Sequence, residues 1–204
     1  MLLLDEPARG LDYELRMDLY RVLGEVRAQY NIPIVLVTHD RDEAFRMGER
    51  LAIYNAGRIV QEGSPESVFS APRDRGVAKL LGYGNIFEGA IERLDPAGGT
   101  SLVRAGNIAL TLDYLPGRFL GDRVEFCIPA HRVKLGPGEN ALEGECVGEA
   151  RLPSSVRLTF RADGWPESAI ECEIPRAAFN GAARNATLSL PRQAIHVFEK
   201  GGAT

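Results

Sequence analysis

Two short apolar runs, each closing on polar residues and separated by one amphipathic stretch, constrain this chain more than any other feature. Residues 2–4 are three leucines that end in Asp5 and Glu6, the pattern of a buried strand whose carboxyl end opens onto a site, and Pro7 stops the run. From Glu14 to Tyr30 the apolar residues Leu15, Leu19, Val22, Leu23, Val26 and Tyr30 recur at steps of three and four, which predicts a helix with one apolar face. Asp12 stands where a cap for that helix is expected. Asn31 and Pro33 break the periodicity, and Ile34, Val35, Leu36 and Val37 form a second β-branched run that ends in Thr38, His39 and Asp40. Strand, helix, strand implies parallel pairing through a right-handed crossover, so Asp5, Glu6 and His39 are expected at one edge of an α/β sheet, where such folds bind ligands.

Downstream, the pattern predicts a short helix over 41–47 and a hairpin of 51–54 with 59–62 around Asn55, Ala56, Gly57 and Arg58. Ser64 and Pro65 read as cap and first residue of another helix, and one more short helix is expected to end near Leu81. At Gly82 and Gly84 the composition shifts to short β-type segments with frequent Gly, Pro and Asn. The expected organisation is therefore an α/β segment over 1–83 and an all-β domain over 84–204. The second part carries a faint internal repeat. IFEGAIERL at 86–94 resembles ALEGECVGEARL at 141–152, and VEFCIPAHRVKL at 124–135 lines up with ATLSLPRQAIHVF at 186–198. Two copies of a small β unit predict an OB-type barrel, since closure removes strand edges.

With 28 acidic against 24 basic residues and no long run of either sign, the chain offers no electrostatic footprint for nucleic acid or anionic lipid. A charge follows only three apolar residues after Met1, so no signal peptide or membrane span is expected there. Cys127, Cys146 and Cys172 lack metal-ligand spacing and are expected as small core residues of a protein in a reducing cytoplasm.

Adjacent carboxylates at a strand end suit phosphoryl transfer, in which the protein mainly positions groups and balances charge. Asp5 is suited to help hold Mg²⁺ and Glu6 to act as base or to orient water. His39, at the end of the neighbouring strand, is placed to donate a hydrogen bond to a terminal phosphate. Taken singly, the acid pair reads equally as a solvated turn, and a lone histidine reads more often as a capping or packing residue; together they reinforce each other.

LLLDEPARGLD followed by IVLVTHD resembles the Walker B, D-loop and H-loop series of ABC ATPases, and NAGRIVQEGSPESVFSAP resembles the importer branch. The likeness covers about residues 1–83. It implies an ATP- and Mg²⁺-dependent subunit in which Asp5 supports Mg²⁺, Glu6 is the catalytic carboxylate, Asp12 closes the D-loop at a homodimer interface and contributes to nucleotide binding, and His39 contacts the γ-phosphate. The implied partners are a second ATPase subunit, a transmembrane permease and, through it, a solute-binding protein. The implied location is cytoplasmic, peripheral on the inner face of the membrane. Arg9 and Gly10 depart from the small residues usual in that D-loop.

No GxxxxGK[ST] loop, Q-loop or LSGGQ-like signature lies in these residues, and nothing else present substitutes for a phosphate-cradling loop. The expectation is that a preceding segment is missing or activity has been lost, and that residues 1–204 alone do not hydrolyse ATP. The tail from about Asn85 resembles the TOBE or Mop-like domains of importer ATPases, with a likeness to molybdate or related oxyanion systems. Arg132, Lys134, Arg157 and Arg192 are its candidate anion contacts. Two alternatives stay open: a non-catalytic anion-sensing or dimerisation module, and a different P-loop ATPase such as a repair or export protein.

Overall fold

The computed structural model describes residues 1–165, 169–181 and 184–199. Internal contacts divide the chain into two compact units, Met1–Ser70 and Ala71–Thr204.

The first unit contains β1 (Leu2–Asp5), α1 (Tyr13–Tyr30), β2 (Ile34–Val37), α2 (Arg41–Met47), β3 (Leu51–Asn55), β4 (Arg58–Gly63) and α3 (Pro65–Ser70). β1 and β2 are parallel, in register from Leu2 opposite Ile34 to Asp5 opposite Val37. The parallel sheet is these two strands, and its residues are not buried on both faces as the apolar runs predict. Leu2, Leu4, Ile34 and Leu36 are half-buried, whereas Leu3, Val35 and Val37 alternate with them and are exposed. Parallel strands become fully apolar inside only when both faces are covered, and a pair of strands leaves one set of side chains open.

Asp12 caps α1, its carboxylate accepting the Leu15 amide at 2.9 Å, and Asn31 ends the helix in the left-handed region with φ 48°. The expected apolar stripe is packed only in part. Leu23 is buried together with Tyr20, while Leu15, Val22 and Tyr30 are exposed. β3 and β4 form the expected hairpin. Ala56 and Gly57, both left-handed at φ 47° and 83°, make a two-residue turn whose twist matches that of the strands.

The second unit is mostly β. After α4 (Arg75–Leu80) come β5 (Ile86–Asp95), β6 (Thr100–Ala105), β7 (Ile108–Asp113), β8 (Arg123–Cys127), β9 (Lys134–Leu135), β10 (Ala141–Arg151), β11 (Ser155–Ala162), β12 (Ile170–Pro175), β13 (Asn185–Ser189) and β14 (His196–Val197). The unit begins upstream of the composition change at Gly82 and Gly84, because α4 belongs to it. Asp74 caps that helix, and Ala78 packs with Ile86, Cys127 and Phe198.

Two five-stranded, barrel-like sheets of the OB type follow, with strand orders β14-β8-β5-β6-β7 and β9-β13-β10-β11-β12. Written this way, the two orders show the internal repeat and a reciprocal exchange. The last strand of each copy pairs in the other copy's sheet: Leu135 opposes Leu188 and Val197 opposes Phe126. Both long first strands, β5 and β10, carry a bulge at equivalent places, after Ile91 and after Cys146.

An asparagine precedes each of those strands and reaches across to the other copy's third strand. Asn85 bonds both the N–H and the C=O of Glu171 at 2.7 Å. Asn140 does the same to Thr111 at 2.7 and 2.9 Å. A primary amide presents a donor and an acceptor side by side and so imitates one residue of a strand. One apolar core joins the two sheets, including Phe126, Leu110, Val156, Leu158, Phe160 and Leu188.

Candidate functional site

The carboxyl ends of β1 and β2 carry the acid pair and the histidine. Asp5 is the last residue of β1 and is exposed. Glu6 follows in the left-handed region, φ 49°, a conformation that costs a non-glycine residue about 1 kcal/mol. Its backbone is held there by donation of its N–H to Val37 O at 2.8 Å, which extends the β1–β2 ladder by one bond. The Glu6 side chain is half-buried, and its Oε1 lies 2.5 Å from His39 Nδ1. The His39 ring is 77% exposed, so its other face and Nε2 remain open to solvent. The parallel register makes this meeting possible, since it brings residues distant in sequence to one edge.

Asp12 is the fourth residue singled out from the sequence. Its carboxylate is engaged in capping α1 and does not take part in the Glu6–His39 pair. A cap with β-region backbone leaves the remaining carboxylate oxygen facing solvent at an exposed turn.

Behind His39 stands Asp40, whose links to Arg16 and Thr38 no motif in the sequence announces. Asp40 Oδ1 caps α2 by accepting the amides of Asp42 and Glu43 at 2.9 and 3.2 Å. Its Oδ2 receives Arg16 Nη1 at 3.0 Å. Asp40 N–H donates to Thr38 Oγ1 at 2.9 Å. Glu43 is 3% exposed. Burial first, then the charge of Glu43 and the hydrogen bond to it, push the Tyr20 phenol above its ordinary range. An aspartate followed by acidic residues in a first helical turn is a legible capping signal, but its link to Arg16, 24 residues earlier, is not.

Among the described residues no group of three or more His, Cys, Asp or Glu side chains gathers in a way that holds a metal. A carboxylate oxygen on Asp5 fits Mg²⁺ as one hard ligand, the remainder having to come from phosphate, water and other residues.

In the second unit the four basic candidates do not converge on one site. Arg157 donates to Glu173 through Nε at 3.2 Å and Nη2 at 2.8 Å. The Ser155 hydroxyl, at 2.6 Å, and that guanidinium hold the Glu173 carboxyl below its usual range against the opposing effect of burial. Arg192 faces Asp113 at 3.4 Å and Glu139 at 3.8 Å. Lys134, on β9, and Arg132 are exposed. Cys127 and Cys172 are buried, as expected of core residues, and burial raises their thiols to about 12 and about 11. Cys146 is half-buried. No helix among the described residues is long and apolar enough to cross a membrane.

The chain is 33% identical over 79% of its length to the spermidine/putrescine import ATP-binding protein PotA of Rubrobacter xylanophilus, covering 44% of that protein. It is 31% identical over 98% of its length to the sulfate/thiosulfate import ATP-binding protein CysA of Ralstonia nicotianae, covering 55% of that protein. It therefore spans about half the length of the curated relatives it matches. A solved structure of the cytoplasmic molybdate-binding protein ModG, with molybdate bound, superposes with a TM-score of 0.49 at 16% identity over 57% of this chain and 96% of that one. No family model matches the chain.

Proposed function

We propose, on the premise that this chain is homologous to the C-terminal part of ABC importer ATP-binding subunits, that it carries the hydrolytic edge of such a subunit together with an accessory β domain. The Glu6–His39 pair at the carboxyl ends of two parallel strands is the observation that carries this reading. ATP with Mg²⁺ supplies the reacting phosphoryl group and most of the charge neutralisation in this chemistry. Of the chain's own residues, Asp5 offers an oxygen to the metal, and Glu6 orients water and takes up its proton. His39, through its open ring nitrogen, contacts the terminal phosphate. The residues at hand match part of that task. They provide the acid, the base and the histidine, but no lysine-bearing, glycine-rich loop to cradle phosphates.

Asp12, at the exposed cap of α1, is assigned to the interface between two ATPase subunits. The partners follow from this reading: a second ATPase subunit, a membrane permease and its solute-binding protein, with the subunit on the cytoplasmic face of the membrane. By resemblance, residues 1–83 make the nucleotide-domain half, although its last helix, α4, packs within the second compact unit, and residues 84–204 make the accessory domain of the TOBE or Mop type.

For the solute we propose a tetrahedral oxyanion, molybdate or a relative of it. The sulfate/thiosulfate relative, aligned over nearly the whole chain, supports that class. A polyamine is the second reading, favoured by the spermidine/putrescine relative. Calorimetric titration of the chain with molybdate, sulfate and spermidine separates the two where the accessory domain senses the solute. Heat with an anion alone supports the first and heat with spermidine alone the second. ATP hydrolysis by the chain joined to an upstream P-loop segment, compared with its Glu6→Gln variant, tests the hydrolytic assignment itself.

A further inference from the structure

Asp40 is the residue after His39 and spends every polar group it has on fixed partners. One carboxylate oxygen caps α2, the other receives Arg16, its N–H is tied to Thr38, and its C=O accepts the Ala44 amide at 3.0 Å. Arg16 stands one turn into α1, its own amide donating to the carbonyl of the Asp12 cap at 3.0 Å. The two ends of the candidate site are thus joined from behind, the Asp12 turn through α1 and His39 through the start of α2.

A buried layer lies beside that link. Tyr20, one turn beyond Arg16, is buried, and the charges of Glu43 in the first turn of α2, of Arg16 and of Asp40 all act on it. Arg16 Nε and Glu43 Oε1 are both buried without a hydrogen-bond partner among the described residues. Charged groups with unsatisfied buried atoms weaken a fold. The Arg16–Asp40 pair, each side chain about a third exposed, is screened by solvent and adds little to stability. A cluster that contributes little to stability yet leaves one nitrogen of half-buried Arg16 and one oxygen of buried Glu43 without a partner among the described residues is poorly explained as packing, whereas its position behind His39 explains it as a positioning device.

We propose that Arg16 and Asp40, backed by Tyr20 and Glu43, form a strut that fixes the His39 ring against Glu6 and ties its position to the Asp12 turn. These are positioning residues, acting through His39 and not on the substrate. The inference rests on the reading of Glu6 and His39 given above. Its chemical consequence is that a displacement of the Asp12 turn is carried along one turn of α1 to Arg16, and from there through a single ion pair to the residue beside His39.

The chain has three histidines, so ¹⁵N-histidine labelling of residues 1–204 gives few ring signals, and His39→Ala assigns the relevant pair. Glu6→Gln is expected to move the His39 Nδ1 signal, because the amide is a weaker acceptor than the carboxylate. Arg16→Met and Asp40→Asn are each expected to move it by at least half as much, and Arg16→Lys by less than Arg16→Met. The signals of His131 and His196 stay in place. Asp40→Asn is the decisive variant if Arg16→Met unfolds the unit, since asparagine still caps α2. If Glu6→Gln moves the His39 signal and Asp40→Asn does not, the strut is overturned while the Glu6–His39 assignment stands. If Glu6→Gln itself leaves His39 unmoved, the assignment of that pair fails, and the strut with it.

Discussion

His39 Nδ1 lies 2.5 Å from Glu6 Oε1. The contact joins the residue after β1 to the second residue after β2, and the parallel register brings them together. A carboxylate beside one imidazole nitrogen orients the ring and selects the proton position, so that the other nitrogen faces outward in a defined state. Under the proposed function, this contact would hold the water-directing acid and the phosphate-contacting donor as a single unit.

The cap at Asp12 is predicted to matter for the helix that begins there. Asp12→Ala removes the acceptor of the Leu15 amide and is expected to cost the first unit about 1 kcal/mol. Asp12→Asn keeps most of that stability. Urea denaturation followed by helical circular dichroism measures both, and equal losses for the two variants would contradict the capping role.

The paired asparagines of the second unit are predicted to be unequal. Asn85 is completely buried and bonds both backbone groups of Glu171. Asn85→Ala therefore strands a buried donor and acceptor, at a cost of about 1–3 kcal/mol. Asn140 is half-buried, and water can reach the groups it leaves, so Asn140→Ala is expected to cost less. Chemical denaturation of the two variants ranks them, and the reverse order would contradict this account.

Alkaline pH is predicted to destabilise the second unit. Burial raises Cys127 to about 12 and Cys172 to about 11 from an ordinary value of 9.0, and Tyr83 to about 12 from 10.0. Above pH 9 the unfolded chain releases protons that the folded state keeps, so stability is intact below that value and falls as pH rises toward 11 to 12. Urea midpoints measured across that range report the decline. In the native state a thiol reagent is expected to modify Cys146 alone, and rapid native modification of Cys127 or Cys172 would contradict their burial.

The local signals were legible because they are written in neighbouring residues: the apolar runs ending at Glu6 and near His39, the cap at Asp12, and the Ala56–Gly57 turn. The internal repeat was also visible, since it needs only comparison of the chain with itself. The exchange of β9 and β14 between the repeats was not. Two-residue strands such as Lys134–Leu135 carry almost no periodicity, and their choice of partner is set by the tertiary arrangement of the two repeats. The apolar stripe of α1 predicted more burial than occurs, because periodicity reports which residues share a face and not whether anything packs against it. Arg16 escaped notice because an ion pair across 24 residues leaves no spacing signal.

Mg²⁺-dependent ATP hydrolysis, measured for this chain joined to an upstream segment with a P-loop and signature motif and compared with the same protein carrying Glu6→Gln, tests whether Glu6 serves hydrolysis. Turnover is expected in the joined protein, none above background in residues 1–204 alone, and a fall on the order of 100-fold or more for Glu6→Gln with ATP still bound. Mg²⁺-dependent hydrolysis by purified residues 1–204 that is unchanged by Glu6→Gln would contradict that role.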